Sequence, residues 1–433
     1  MKILKYQSDK KVINEIINNR RFYIKDDIKN KVKKIVEKVK NDGDSALFEY
    51  TELFDNVKLN KIKIKENKIE KALDNVSEEY LNSLDKAITN IRSFHEKEKK
   101  ESWMENKKGK MRGQLIRPLQ RVGCYVPGGG AAYPSSALMT VIPAQVAGVK
   151  EIVVTTPPDS SGDLNPYTLA ALKKLGIDEI YKLGGAQAVA ALAYGSESIN
   201  AVNKIVGPGN IFVTVAKKEV FGSVDIDMLA GPSEVMILAD KEANPSYLAA
   251  DLLSQAEHDP RAISIILSPS DKLLNNVKTE VQKQLKSLER KNIAEKSLSE
   301  NGLFIKVNDI DKGLKLVNRY APEHFELVVD EPFSYLGQIE NAGAIFIGEY
   351  SPEPLGDYFA GPNHVLPTGG TAHYSSPLST DDFLKKSSII YYNQEELNKN
   401  AEHISRLAEL EGLGAHANSI NIRKRGEENE EKV

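Results

Sequence analysis

An α/β fold built from two parallel-sheet blocks is predicted by three observations. Short runs rich in Val and Ile alternate with helix-period segments from residue 112 onward. Glycine-rich turns follow several of these runs, and the alternation restarts near residue 230. The length, 433 residues with 41% hydrophobic content, allows more than one domain with sizeable cores.

Residues 1 to about 110 read as helical. Segments 26–54 and 77–100 place apolar residues three and four apart between charged ones, and Trp103 lies in the polar connector that follows. Residues 115–126 read as extended and are broken by Pro127-Gly-Gly-Gly130. Segment 136–147 is apolar and helix-like, and 151–155 is a short buried strand. A helix near 167–175, a strand near 179–183 and a helix near 186–194 complete the first block.

The second block opens with the strand 235–239 and the helix 246–256. Strands are expected at 262–267, 302–307, 325–329 and 344–347, and helices near 272–288 and 310–320. The Gly/Pro-rich stretch 348–377 reads as a functional loop, since so long a segment without periodicity is uncommon otherwise. An amphipathic helix is expected over 394–410 and a charged, disordered tail over 423–433. No internal repeat of 20–50 residues is visible.

Composition excludes several classes. A net charge of −3 gives no global attraction to nucleic acid or anionic membrane, and the lysines of 31–40 read as a solvated helix face. The one cysteine, Cys124, excludes an internal disulfide framework and fits a reducing compartment. The start, Met-Lys-Ile-Leu-Lys-Tyr-Gln, lacks the apolar core of a signal peptide, and no run of roughly 18 apolar residues could span a bilayer. A soluble cytoplasmic protein is expected.

Four polar fragments carry the chemistry: Gln255-Ala-Glu-His258, Pro322-Glu323-His324, Gly356-Asp357-Tyr358 and Glu411-Gly-Leu-Gly-Ala-His416. They supply imidazole, carboxylate and amide groups but no thiol. Gln255 and His258, three apart, share a face if their segment is helical, and a distant Asp and His could complete an N/O metal site of the zinc or manganese type. Glu323-His324 adds neighbouring acid–base groups. His95 and His403 sit on charged helices and receive no role, and that of His373 stays open.

There is no phosphate-binding Gly-x-x-x-x-Gly-Lys-Ser/Thr. The near match Gly412-Leu-Gly414-Ala-His-Ala417 follows a helix rather than a strand, so it fails as a dinucleotide fingerprint. Three other turns, Pro127-Gly-Gly-Gly130, Gly184-Gly-Ala-Gln187 and Gly207-Pro-Gly-Asn210, each follow a strand or strand-like run and precede a helix-like one. Glycine turns are often merely structural, but three in one α/β block point to a phosphate-bearing cofactor.

The chain resembles the histidinol dehydrogenase family over nearly its whole length. The resemblance rests on Val122-Gly-Cys-Tyr-Val-Pro-Gly-Gly129, Gly184-Gly-Ala-Gln-Ala188, Gly207-Pro-Gly-Asn210 and Ala230-Gly-Pro-Ser-Glu234. It continues through Asp251-Leu-Leu-Ser-Gln-Ala-Glu-His258, Ala321-Pro-Glu-His324 and Asn363-His-Val-Leu-Pro367. It implies two incomplete Rossmann-like domains with small helical terminal segments. The implied division is a helical 1–20, a larger domain of 21–124 and 235–377, an NAD-binding 125–234, and a helical 378–433 reaching a partner subunit.

The resemblance also implies zinc ligands at Gln255, His258, Asp357 and His416, one ion per subunit, with Mn²⁺ as a substitute. The acid–base pair falls on Glu323 and His324, and NAD contacts fall on Tyr125, Gln187 and Asn210. Substrate contacts fall on Ser233, His364 and Glu411 together with Gln255, His258, His324, Asp357 and His416. The family's protomers intertwine as a homodimer, so Glu411 and His416 would act across the interface. Gly130 with Ala131-Ala-Tyr133, and a polar insert near 158–163, depart from the family pattern without touching these positions.

The implied reaction is oxidation of L-histidinol to L-histidine with NAD, through a bound aldehyde, in the last steps of histidine biosynthesis. His324 suits proton removal near neutral pH, and Glu323 suits water activation at the aldehyde stage. Two alternatives stand beside it: a non-catalytic metal and nucleotide sensor, and oxidation of another amino alcohol. The intact Glu323-His324 pair speaks against the sensor, since a binder needs no acid–base couple.

Overall fold

The computed structural model describes residues 2–18, 24–128 and 132–424. The chain forms two compact units: residues 1–99 with 119–383, and residues 100–118 with 384–433. The expected segmentation draws its boundaries elsewhere, at 20, 124, 234 and 377.

The first unit holds two parallel sheets. Five strands, Arg121–Tyr125, Glu151–Thr156, Ile180–Lys182, Lys204–Val206 and Asp225–Ile226, pair in the order 3-2-1-4-5 counted along the chain. That is the Rossmann order without its sixth strand. Alternate residues face opposite cores, as a sheet covered on both sides requires. Val122, Cys124, Val154 and Ile180 pack among the helices Glu78–Glu96, Pro134–Ala147 and Pro166–Lys174. Tyr125, Val153, Tyr181 and Ile205 pack on the opposite side with Gly185–Tyr194, Ile211–Val220 and Asp26–Asp42.

The second sheet repeats the topology. Glu234–Ala239, Ile263–Ser268, Leu303–Lys306, His324–Val328 and Ala344–Ile347 again pair in the order 3-2-1-4-5, and Lys2–Lys5 adds a parallel edge strand beside Leu303–Lys306. Val235, Ile237, Ile266 and Phe304 face the helices Pro245–Ala256, Asp271–Gln284 and Lys291–Asn301. Met236, Leu238, Ile265 and Phe325 face the helix Ile310–Tyr320 and Ile13. Two incomplete Rossmann-like sheets are therefore present, as expected.

The second unit is a three-stranded antiparallel sheet, Trp103–Lys107, Lys110–Pro118 and Leu384–Tyr392, with the helices Gln394–Leu410 and Gly414–Lys424 packed on each other. The segment 378–433, expected to be helical, thus contains a nine-residue strand. Most of that strand is exposed, so no burial period marks its Lys-Lys-Ser-Ser core.

Other departures are local. The expected helix 26–54 is two, Asp26–Asp42 and Asp44–Asp55, separated at Gly43 with φ +53°. The loop 348–377 contains the short helix Glu353–Tyr358 and a 3₁₀ turn Thr371–His373. Arg423 and Lys424 end a helix rather than opening a disordered tail, and 425–433 lie outside the described residues, as do Gly129, Gly130 and Ala131. No helix among the described residues is long and apolar enough to cross a membrane.

Candidate active site

A cleft of about 650 Å³ opens in the first unit between its two sheets. The five-stranded sheet presents the carboxyl ends of its strands: Pro127 and Gly128, Gly185 to Gln187, and Pro208 to Asn210 all line the cleft. The strands Arg121–Tyr125 and Lys204–Val206 flank the point where strand order reverses, the usual ligand crevice of such a sheet. The six-stranded sheet presents the opposite edge. Ser233 precedes Glu234–Ala239, and Glu323 with His324 opens His324–Val328, so these residues reach the cleft from the amino ends of neighbouring strands.

On the glycine-turn side, Tyr125 is buried and its hydroxyl accepts the Gly185 N–H at 3.1 Å. Gln187 is buried, and its Oε1 has no hydrogen-bond partner among the described residues. Asn210 spends its carbonyl oxygen on the N–H groups of Phe212 and Val213, capping Ile211–Val220, which leaves its NH₂ for a ligand. The turn before it is held tightly. The Gly207 N–H donates to Asp227 and its carbonyl accepts from Lys217 Nζ at 3.0 Å, while Lys217 and Asp227 form a buried ion pair. These turns fit a dinucleotide: backbone N–H groups, a helix N-terminus and an unanswered amide.

Gly207 has φ +118°, and a Cβ there would lie 2.1 Å from the Tyr125 carbonyl oxygen. Gly207→Ala should therefore destabilise the protein by about 1–3 kcal/mol, read by thermal unfolding. An unchanged melting temperature would show that the turn tolerates a side chain.

The acid–base pair is clamped by one residue of the adjacent strand. Glu323 Oε2 accepts the Glu234 N–H at 2.7 Å, and His324 Nδ1 lies 3.0 Å from the Glu234 carbonyl. A carbonyl can only accept, so Nδ1 carries the proton and the neutral ring keeps its lone pair on Nε2. That atom is buried without a hydrogen-bond partner among the described residues, 3.8 Å from Asp357 Oδ1. Burial raises the Glu323 pKa well above 4.5, with Glu234 and Asp357 adding repulsion, so its carboxylate is a stronger base than an exposed one. Burial lowers His324 below 6.5, against the pull of Asp357, which keeps the ring neutral and able to accept a proton at neutral pH. The approach to this pair is tight: Ala321 ends the preceding helix at φ +50°, rare for a residue with a Cβ.

Beside the pair lies a donor set. Ring or carboxylate atoms of His258, Glu353 and Asp357 fall within 4.8 Å of one another. Gln255 lies in the last turn of the helix Pro245–Ala256 and is fully buried, yet neither its Oε1 nor its Nε2 has a hydrogen-bond partner among the described residues. A buried amide with both atoms unanswered is costly, and the nearby nitrogen and oxygen donors fit a hard or borderline divalent cation. His364 Nδ1 lies 3.0 Å from the Asp357 carbonyl, which by the same tautomer argument leaves its Nε2 as an acceptor, and burial lowers its pKa. Tyr125, Gln187, Asn210, Ser233, His258, Glu323, His324, Asp357 and His364 all line the cleft. Glu411 and His416 belong to the second unit, where both are exposed.

Sequence reasoning missed three contributors. Glu234 clamps the catalytic pair through its main chain, which no side-chain motif can reveal. Glu353 precedes Asp357 by four residues, and that spacing was the available signal. His95, given no role, is fully buried: its Nδ1 meets Glu98 at 2.7 Å and its Nε2 faces Asn363, the neighbour of His364. His373 contacts the Arg319 carbonyl and does not line the cleft. Cys124 is buried and its thiol is pushed up to about 12, so it offers no nucleophile.

The histidinol dehydrogenase family profile matches residues 18–424. A histidinol dehydrogenase of Heliobacterium mobile is 52% identical over 395 residues, covering 90% of this chain and 92% of that protein. One of Listeria monocytogenes is 53% identical over 397 residues, covering 92% and 93%. The crystal structure of histidinol dehydrogenase from Elizabethkingia anophelis superposes with a TM-score of 0.92 at 38% identity, covering 98% of this chain and 97% of that one.

Proposed function

The chain belongs to the histidinol dehydrogenase family, and from that premise we propose that it oxidises L-histidinol to L-histidine in two NAD-dependent steps through a bound aldehyde. It is an oxidoreductase of histidine biosynthesis acting on a small molecule. The observation that carries the mechanism is the clamped pair Glu323 and His324, facing the cleft beside His258 and Asp357.

In this reading Gln255, His258 and Asp357 hold one zinc ion per subunit, which Mn²⁺ can replace, and Tyr125, Gln187 and Asn210 hold NAD. Bound NAD would accept a hydride in each oxidation, and bound zinc would grip the substrate's imidazole and amino nitrogens. The chain supplies the rest. His324 Nε2 takes the alcohol proton, and the neighbouring Asp357 carboxylate balances the imidazolium that forms. Glu323, made more basic by burial, takes a proton from the water that hydrates the aldehyde. His324, again neutral, takes the hydrate's proton in the second oxidation. Ser233 and His364 orient the substrate from two sides of the cleft.

Glu411 and His416 complete the site from a second copy of the chain in a homodimer, and the enzyme works in the cytoplasm. The test is NADH formation on adding L-histidinol and NAD⁺. Prolonged chelation should abolish it, and added Zn²⁺ or Mn²⁺ should restore it. Full turnover by protein shown metal-free by elemental analysis would sink the metal's part in this reading.

A further inference from the structure

We propose that the buried ion pair of Lys217 and Asp227 is a positioning device for the cofactor, fixing the turn 207–210 so that the Asn210 amide faces the NAD site; the proposal rests on the NAD site proposed above. The two charges reach the turn from different elements. Lys217 stands almost two turns into the helix Ile211–Val220, and Asp227 follows the edge strand Asp225–Ile226, which pairs with Lys204–Val206. Their side chains are 3% and 0% exposed.

Each charge holds one of the two peptide groups that meet at Gly207. Asp227 Oδ2 accepts the Gly207 N–H at 2.8 Å, and Lys217 Nζ donates to the Gly207 carbonyl at 3.0 Å. Holding both peptide planes sets the backbone of the residue with the widest conformational freedom, here at φ +118°. Pro208 follows with its φ fixed by its ring, so the direction set at Gly207 carries on to Asn210. Pro208, Gly209 and Asn210 line the cleft. Asn210 gives its carbonyl oxygen to the N–H groups of Phe212 and Val213, which leaves its NH₂ to meet a ligand.

Stability alone does not explain the pair. Desolvation of two buried charges offsets most of their attraction, and an apolar pair of like volume often serves a fold as well. What an apolar pair cannot do is present a donor and an acceptor to one glycine. Asp227 also has a local task, since its Oδ1 accepts the Met228 N–H at 2.6 Å. The two bonds to Gly207 lie outside that task.

The full-length protein is titrated with NADH, followed by the fluorescence of the bound reduced cofactor, so the readout needs no turnover. Lys217→Met combined with Asp227→Asn removes both charges together and leaves neither buried alone, and the asparagine oxygen can still accept the Gly207 N–H. This double variant should bind NADH about 10-fold more weakly, the worth of one well-placed hydrogen bond. Its binding of L-histidinol in the zinc-loaded form, followed by calorimetry, should be unchanged. Wild-type affinity for NADH, whatever the melting temperature, would overturn the proposal. Equal weakening toward NADH and L-histidinol would overturn it too, because that marks a cleft loosened as a whole. Asn210→Ser separates this proposal from the NAD site it rests on, since serine still caps the helix but lacks the NH₂. If Asn210→Ser binds NADH as the wild type does, the Asn210 contact is wrong and the proposal falls with it. If Asn210→Ser binds weakly and the double variant binds normally, only the role of the ion pair falls. Should the double variant lose its fold by circular dichroism, Lys217→Met alone, which leaves Asp227 its two N–H partners, is measured in its place. Weaker NADH binding with unchanged L-histidinol binding then supports the proposal, and unchanged NADH binding or equal weakening overturns it.

Discussion

Replacing His324 with glutamine should slow both oxidations, of histidinol and of histidinal, by roughly 10²–10⁴-fold, the usual worth of a positioned acid–base group. Glutamine can still reach the Glu234 carbonyl through its NH₂, so orientation is partly kept while the Nε2 base is lost. Glu323→Gln should behave differently. Only the aldehyde stage consumes water, so that step should fall by a similar factor while alcohol oxidation changes little. The Glu323 side chain accepts the Glu234 N–H, and a glutamine oxygen can accept it equally well. Assays with histidinol and histidinal, at saturating NAD⁺ and metal, separate the two. Equal loss in both steps for Glu323→Gln would move Glu323 from water activation to positioning His324.

Two inactive variants should rescue each other. His258→Ala removes a ring that sits within 4.8 Å of two carboxylates, and the chain's only thiol, Cys124, is buried in the core of the other sheet. His416, in the second unit, is the ligand proposed to come from the other copy, and His416→Ala removes it. Each homodimer should have almost no activity. Unfolded together in equal amounts and refolded, half of the dimers are mixed, and one of the two sites in each is intact. About a quarter of wild-type activity should return under this two-fold arrangement. If His416 serves its own chain, every site lacks one ligand and no activity returns.

The parallel sheets were legible because their strands are short, apolar and buried on both faces, as Glu234–Ala239 shows. The three glycine turns were legible for a related reason: Gly207 needs φ +118° and has no room for a Cβ. Leu384–Tyr392 was not legible, since an exposed strand carries no burial period. The site divides the same way. Long motifs exposed His258, Glu323 and His324, and the short fragment Gly356-Asp357-Tyr358 marked Asp357, whereas Glu234 acts through main-chain atoms that every residue possesses. His95 sits among charged neighbours, and its burial beside Asn363 comes from long-range packing that local sequence cannot display.

The central claim is that one site performs both oxidations without releasing the aldehyde. The most direct measurement counts NADH formed per L-histidinol consumed, with an aldehyde trap in solution. About two NADH per substrate, with L-histidine as product and an empty trap, is the expected result for two cofactor-borne hydride transfers. About one NADH per substrate, with the aldehyde recovered in the trap, would contradict it.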